Sequence, residues 1–77
     1  MHKITKDEFI RLNNLMILLV GKEGHNHPPE RITELFNIHN LCYPQKLEYS
    51  KSCGSCRQRV YNRVLEYWNG MKGEYGF

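Results

Sequence analysis

Four residues of metal-ligand type fall into two pairs with ten residues between them, and this constrains the 77-residue chain more than any other feature. The stretch from His39 to Cys56 reads HNLCYPQKLEYSKSCGSC, with the pairs His39-x-x-Cys42 and Cys53-x-x-Cys56. Zinc takes four thiolate or imidazole ligands in a tetrahedron, and the x-x spacing lets one tight turn present two ligands to one ion. All three cysteines of the chain lie in this window. The spacing therefore predicts a structural zinc site made of His39, Cys42, Cys53 and Cys56. His39 is its weakest member, because a histidine on a helix face is more often a packed core residue than a ligand; His27 or His25 is the reserve. Two other readings stand beside zinc. In one, all three thiols are reduced, with Cys42 buried as a small hydrophobe and the other two opening a helix. In the other, CGSC is a redox dithiol, since a helix start lowers a thiol pKa. A thioredoxin-like motif needs a strand-helix-strand context, however, and strand pattern is almost lacking.

A chain of this size has little stability to spare and often carries a disulfide framework or a metal. Three cysteines cannot all pair within one chain. The charged N-terminus is not a signal peptide, so the expectation is a reducing compartment, where a metal is the more natural staple. No apolar run is long enough to span a membrane. Residues 1–39 hold five basic and five acidic side chains and residues 40–77 hold six and three, so the net charge of +3 sits wholly in the half with the ligand pairs. An excess this small is weak evidence for a nucleic-acid partner.

Taken in order, the chain reads as all-α: three helices with a zinc knuckle, forming one small metal-stapled domain over residues 1–77. Thr5-Lys-Asp-Glu8 has the form of a capping box, with Ile4 and Phe9 placed as a hydrophobic staple. The first helix is expected over about residues 6–20, with Gly21 past its end. Its second half, Leu15 to Val20, is apolar on every side, which demands cover on every side. Leu15, Leu18 and Leu19 are accordingly the candidate contacts to a second chain or target protein. The loop GKEGHNH lacks the residues of a phosphate loop. Pro28-Pro29-Glu30 opens a second helix over about 29–38, on which Ile32, Leu35, Phe36 and His39 share a face, with Cys42 beyond a break. The connection from Leu41 to Ser52 contains Pro44 and is long for a helical domain, as if a metal pinned both ends. A third helix is expected over 54–69, stopped at Gly70, with Tyr61, Val64, Leu65 and Trp68 inward and Val60 and Tyr67 at the edges. The last eight residues, GMKGEYGF, read as a flexible tail.

The segment Ser52-Cys-Gly-Ser-Cys56-Arg-x-Arg59-Val60 resembles the C-terminal part of small, mostly uncharacterised proteins encoded by bacteriophages, which also look like a helix launched from CGSC. The resemblance covers about the second half of the chain. It implies a phage or phage-derived origin and expression in a bacterial cytoplasm; it implies no activity.

For function, no nucleophile-base-acid arrangement can be placed, and neither an enzyme nor a small-molecule substrate is expected. An open three-ligand zinc would need a base, for which Glu48 is the nearest candidate. The first reading is a zinc-stabilised binding module that contacts a host protein, or a second copy of itself, through the apolar end of the first helix. The alternative is a zinc-knuckle nucleic-acid binder. Lys46, Lys51, Arg57, Arg59 and Arg63 surround the knuckle and the outer face of the third helix, and Tyr43 and Tyr49 offer stacking faces. Glu48 and Glu66 interrupt that patch.

Overall fold

The structure is a computed structural model that describes residues 2–21 and 27–77. The described residues form three helices and no strand: α1 (Lys6–Leu19), α2 (Pro29–Cys42) and α3 (Gly54–Met71). Both halves of the capping box are made at the start of α1. The Glu8 N–H donates to the Thr5 hydroxyl (3.1 Å), and the Thr5 N–H donates to the Glu8 carboxylate (2.8 Å). Ile4 and Phe9 are both buried in the core. Gly21 has φ +82°, a left-handed conformation that carries no penalty for glycine.

α2 runs past its expected end. Pro28 caps it and Pro29 fills its first turn, where a missing N–H costs nothing. The helix then continues through Cys42, and the Tyr43 N–H still donates to the His39 carbonyl (2.8 Å). Pro44 sets the stop: the residue before a proline is pushed out of helical geometry, and Tyr43 sits at φ −128°, ψ 69°. His39 and Cys42 therefore lie one turn apart on a single helix, with no break between them.

α3 likewise runs through Gly70 to Met71. Met71 is buried with Val60, Val64 and Tyr67. Burying a methionine contributes roughly 2 kcal/mol, which exceeds the roughly 1 kcal/mol that a helical glycine costs. The inward line of α3 is thus Val60, Val64, Tyr67 and Met71, with Tyr61, Leu65 and Trp68 half-buried beside it. Against it pack Phe9, Leu12, Leu15, Met16 and Leu19 of α1 and Leu35, Phe36, Ile38 and Cys42 of α2. Polar ties fix the helices to one another. Arg11 of α1 pairs with Glu34 of α2 (2.9 Å), and the Trp68 indole N–H of α3 donates to the Asn13 side chain of α1 (2.9 Å).

The last residues are docked, contrary to the expected flexible tail. The Tyr75 ring stacks on Phe9 with centroids 4.2 Å apart and planes within 11°, and Phe77 lies 5.3 Å from the same ring. The Tyr75 hydroxyl donates to the Ile4 carbonyl (2.6 Å), and the Lys6 ammonium donates to the Tyr75 carbonyl. Tyr67 completes the closure: its buried hydroxyl donates to the His2 carbonyl (2.5 Å) and accepts the Ile4 N–H (3.3 Å). Aromatic stacking outweighs the conformational freedom of the glycines in this segment.

Candidate functional site

Each of the four expected zinc ligands has other work. His39 is fully buried. Its Nδ1 lies 2.8 Å from the Asn40 side-chain oxygen and its Nε2 lies 3.2 Å from an Arg63 guanidinium nitrogen. Arg63 can only donate, so Nε2 is the acceptor and Nδ1 carries the proton. This is a neutral imidazole with both nitrogens engaged. Burial lowers its pKa, and the charge of Arg63 adds to the effect, against the hydrogen bond that Nδ1–H donates to Asn40. Cys42 is 1% exposed within the apolar core, and burial pushes its thiol up to about 12, far from a ligand thiolate. Cys53 and Cys56 are bonded to each other as a disulfide, with Cα atoms 5.1 Å apart.

These placements do not bring the four donors to one point. Among the described residues no group of three or more His, Cys, Asp or Glu side chains is set to hold a metal ion. The donor set does not fit the zinc site read from the spacing. Two of its donors belong to the buried wall between α2 and α3, and the other two are tied together at the start of α3. Of the reserve ligands, His27 sits just ahead of α2 and His25 lies outside the described residues.

The long connection after α2 is held by side chains in the metal's stead. The Asn40 amide pairs with the backbone of Glu48 in both directions, donating to its carbonyl and accepting its N–H, both at 3.0 Å. The Glu48 carboxylate then accepts two hydrogen bonds from Arg59 (3.0 and 3.2 Å) and one from Arg63 (3.3 Å). These bonds, Arg59 first, hold Glu48 below the usual carboxylate range. The Tyr43 hydroxyl donates to the Arg63 carbonyl (3.0 Å). The chain His39-Asn40-Glu48-Arg63-Arg59 is one polar knot that fastens the connection to α3. Among the described residues no buried side-chain nitrogen or oxygen lacks a hydrogen-bond partner.

The knot reassigns part of the basic patch. Arg59 and Arg63 are committed to Glu48, and the Lys51 ammonium lies over the Phe36 ring (5.9 Å). Lys46 and Arg57 are exposed. Glu48, the candidate base, anchors two arginines. A shallow cavity of about 270 Å³ is lined by His2, Cys42, Tyr43, Pro44, Gln45 and Lys46, and no carboxylate lines it.

The three candidate contact residues of α1 divide. Leu15 and Leu19 are in the core, at 5% and 2% exposure, and Leu18 is outside at 40%. Ile10, Ile17 and Val20 are exposed with Leu18, and Ile17 most of all at 62%. Ile10 and Ile17 stand seven residues apart, two helical turns along one side. A wheel drawn with Phe9, Leu12, Met16 and Leu19 inward puts Ile10 and Ile17 together on the outer side. Attention to the unbroken apolar run concealed them.

No protein-family model, curated protein or solved structure matches the chain. Among the described residues no helix is long and apolar enough to cross a membrane.

Proposed function

We propose that this chain is a protein-binding module whose docking surface is the outer face of α1. One observation carries the reading: Ile17 stands 62% exposed on a helix whose opposite side already fills the core, with Ile10 two turns before it and Leu18 next to it also exposed, and Val20 exposed at the helix end. Exposed apolar side chains scattered singly mean nothing, but several gathered on the solvent side of one helix are how contact surfaces are built. The resemblance of the second half to phage-encoded proteins supports a bacterial host protein as the partner. The reading needs no metal. The nucleic-acid alternative has less support, because two of its five cations already neutralise Glu48.

The test is site-specific crosslinking in bacterial cytoplasm from a photoreactive residue at position 17. One discrete adduct is expected, removed by Ile10→Asp with the thermal midpoint unchanged. An adduct of twice the chain mass would identify a second copy as the partner. If no adduct forms, or if one forms that ignores Ile10→Asp, the reading is wrong.

A further inference from the structure

We propose that Cys53 and Cys56 form a reversible thiol-disulfide exchange centre, with Cys53 as the sulfur that exchanges with a partner disulfide or dithiol. The inference rests on the start of α3 and is independent of the docking face on α1.

The bond is poorly placed to be a staple. A disulfide stabilises mainly by closing a loop in the unfolded chain, and more so for longer loops. Cys53 and Cys56 are three residues apart, the smallest ring that any pair of these cysteines can close. Pairing either of them with Cys42 would have closed a far longer one. The core line Val60, Val64, Tyr67 and Met71 holds α3 without this bond, so the oxidised and reduced pair can share one fold.

The bond is well placed for exchange. Cys53 caps α3, and its sulfur already accepts the Cys56 backbone N–H (3.2 Å) and lies 3.4 Å from the Ser55 hydroxyl. When the bond opens, the donors that would stabilise a Cys53 thiolate are in position. The positive end of the helix dipole favours that anion, and the first turn, Gly54-Ser55-Cys56-Arg57, has an arginine and no carboxylate. Both cysteines are partly exposed, so another thiol can reach them. Cys42, the third cysteine, is buried and protonated and does not intercept a mixed disulfide. Exchange requires an accessible, activated sulfur with a second one beside it; it does not require a sheet.

In the reduced chain the Cys53 thiolate attacks one sulfur of the partner disulfide. The Cys53–partner bond forms, the partner's own S–S bond breaks, and the released sulfur leaves as a thiolate that takes a proton from water. Cys56 gives its proton to water and attacks the Cys53 sulfur. The Cys53–Cys56 bond forms, the mixed disulfide breaks, and the second partner sulfur leaves and is protonated. Two electrons and two protons pass from the pair to the partner disulfide, and a dithiol reductant reverses the sequence.

The experiment is equilibration of the whole chain in glutathione buffers of graded ratio, followed by trapping with iodoacetamide and peptide mass spectrometry. The pair should convert in one two-electron step, with Cys42 unlabelled until the protein is unfolded and the thermal midpoints of the two forms within a few degrees. Limited labelling of the reduced wild-type chain at pH 7 should modify Cys53 at least ten-fold faster than Cys56. Reduction that unfolds the domain would make the bond a staple and overturn the proposal. Equal labelling rates would overturn it as well. So would a native mass one zinc ion above the chain, with thiols released only by chelator.

Discussion

The side chain of Asn40, in the last turn of α2, binds the backbone of Glu48 as a neighbouring strand would, one hydrogen bond in each direction at 3.0 Å. Eight residues of chain are closed by one amide. The same Asn40 oxygen receives the Nδ1–H of buried His39. Asn40→Ala would leave three groups without their partner, and unpaired buried groups cost about 1–3 kcal/mol each before relaxation. A loss of about 2–4 kcal/mol is expected in urea unfolding, with faster hydrogen exchange at the Glu48 amide. Asn40→Asp keeps the acceptor and should lose less.

The buried neutral His39 gives the fold a pH dependence of defined sign. Its pKa is lowered from 6.5 chiefly by burial. Above 6.5 both folded and unfolded chains hold it neutral, and its contribution is fully present. Below 6.5 the unfolded chain takes up the proton first, so stability falls as pH drops toward the folded value. Unfolding curves between pH 8 and 5 should show this decline, and His39→Gln should flatten it. Decline in the opposite direction, with stability rising on acidification, would contradict the neutral assignment.

Glu48→Gln releases Arg59 and Arg63 from a carboxylate shared between them. Binding of the wild-type chain to a short DNA duplex should be weak at low salt and absent at physiological salt. The variant should bind several-fold tighter at low salt, with a steeper salt dependence, because counterion release scales with the number of available cations. Fluorescence anisotropy reads both. Equal binding by the two proteins would mean that the arginines are not restrained by Glu48 in solution.

Tyr75→Ala removes the ring stacked on Phe9 and the bond to the Ile4 carbonyl. A loss of about 2–4 kcal/mol is expected. Tyr75→Phe keeps the ring and should lose about 1 kcal/mol. The difference between the two apportions the closure between stacking and hydrogen bonding, and calorimetry of both variants measures it.

The helix starts were legible because they depend on neighbours in sequence. Thr5 and Glu8 are three residues apart, and Pro28 and Pro29 act on the first turn of α2; the start of α3 within CGSC was legible too, though not that Cys53 is its cap. The end of α1 at Gly21 was legible in the same way, but the ends of α2 and α3 were not, because burial decides them: Cys42 and Met71 each draw a helix one turn or one residue past its apparent stop. The placement of the candidate ligands was not legible for a related reason. His39 and Cys42 have metal-like spacing, but α2 is continuous there and turns both into the wall of the core. What occupies the Nε2 of His39 is Arg63, twenty-four residues away on α3, and no local pattern announces such a partner. The role of Asn40 was equally invisible, since its partner is a backbone group and not a side chain.

The ties that join His2 to Tyr67 and Ile4 to Tyr75 span 65 and 71 residues. A three-helix chain ordinarily gathers most of its contacts locally and folds fast. Here the cover over Phe9 is assembled from segments at opposite ends of the described chain, and loop-closure entropy must be met before that cover yields anything. The helices can find one another first, and the ends meet afterwards. Tyr75 is therefore a brake on unfolding with little influence on how quickly the chain folds, and a folding measurement on Tyr75→Ala should show nearly all of its effect in the unfolding rate.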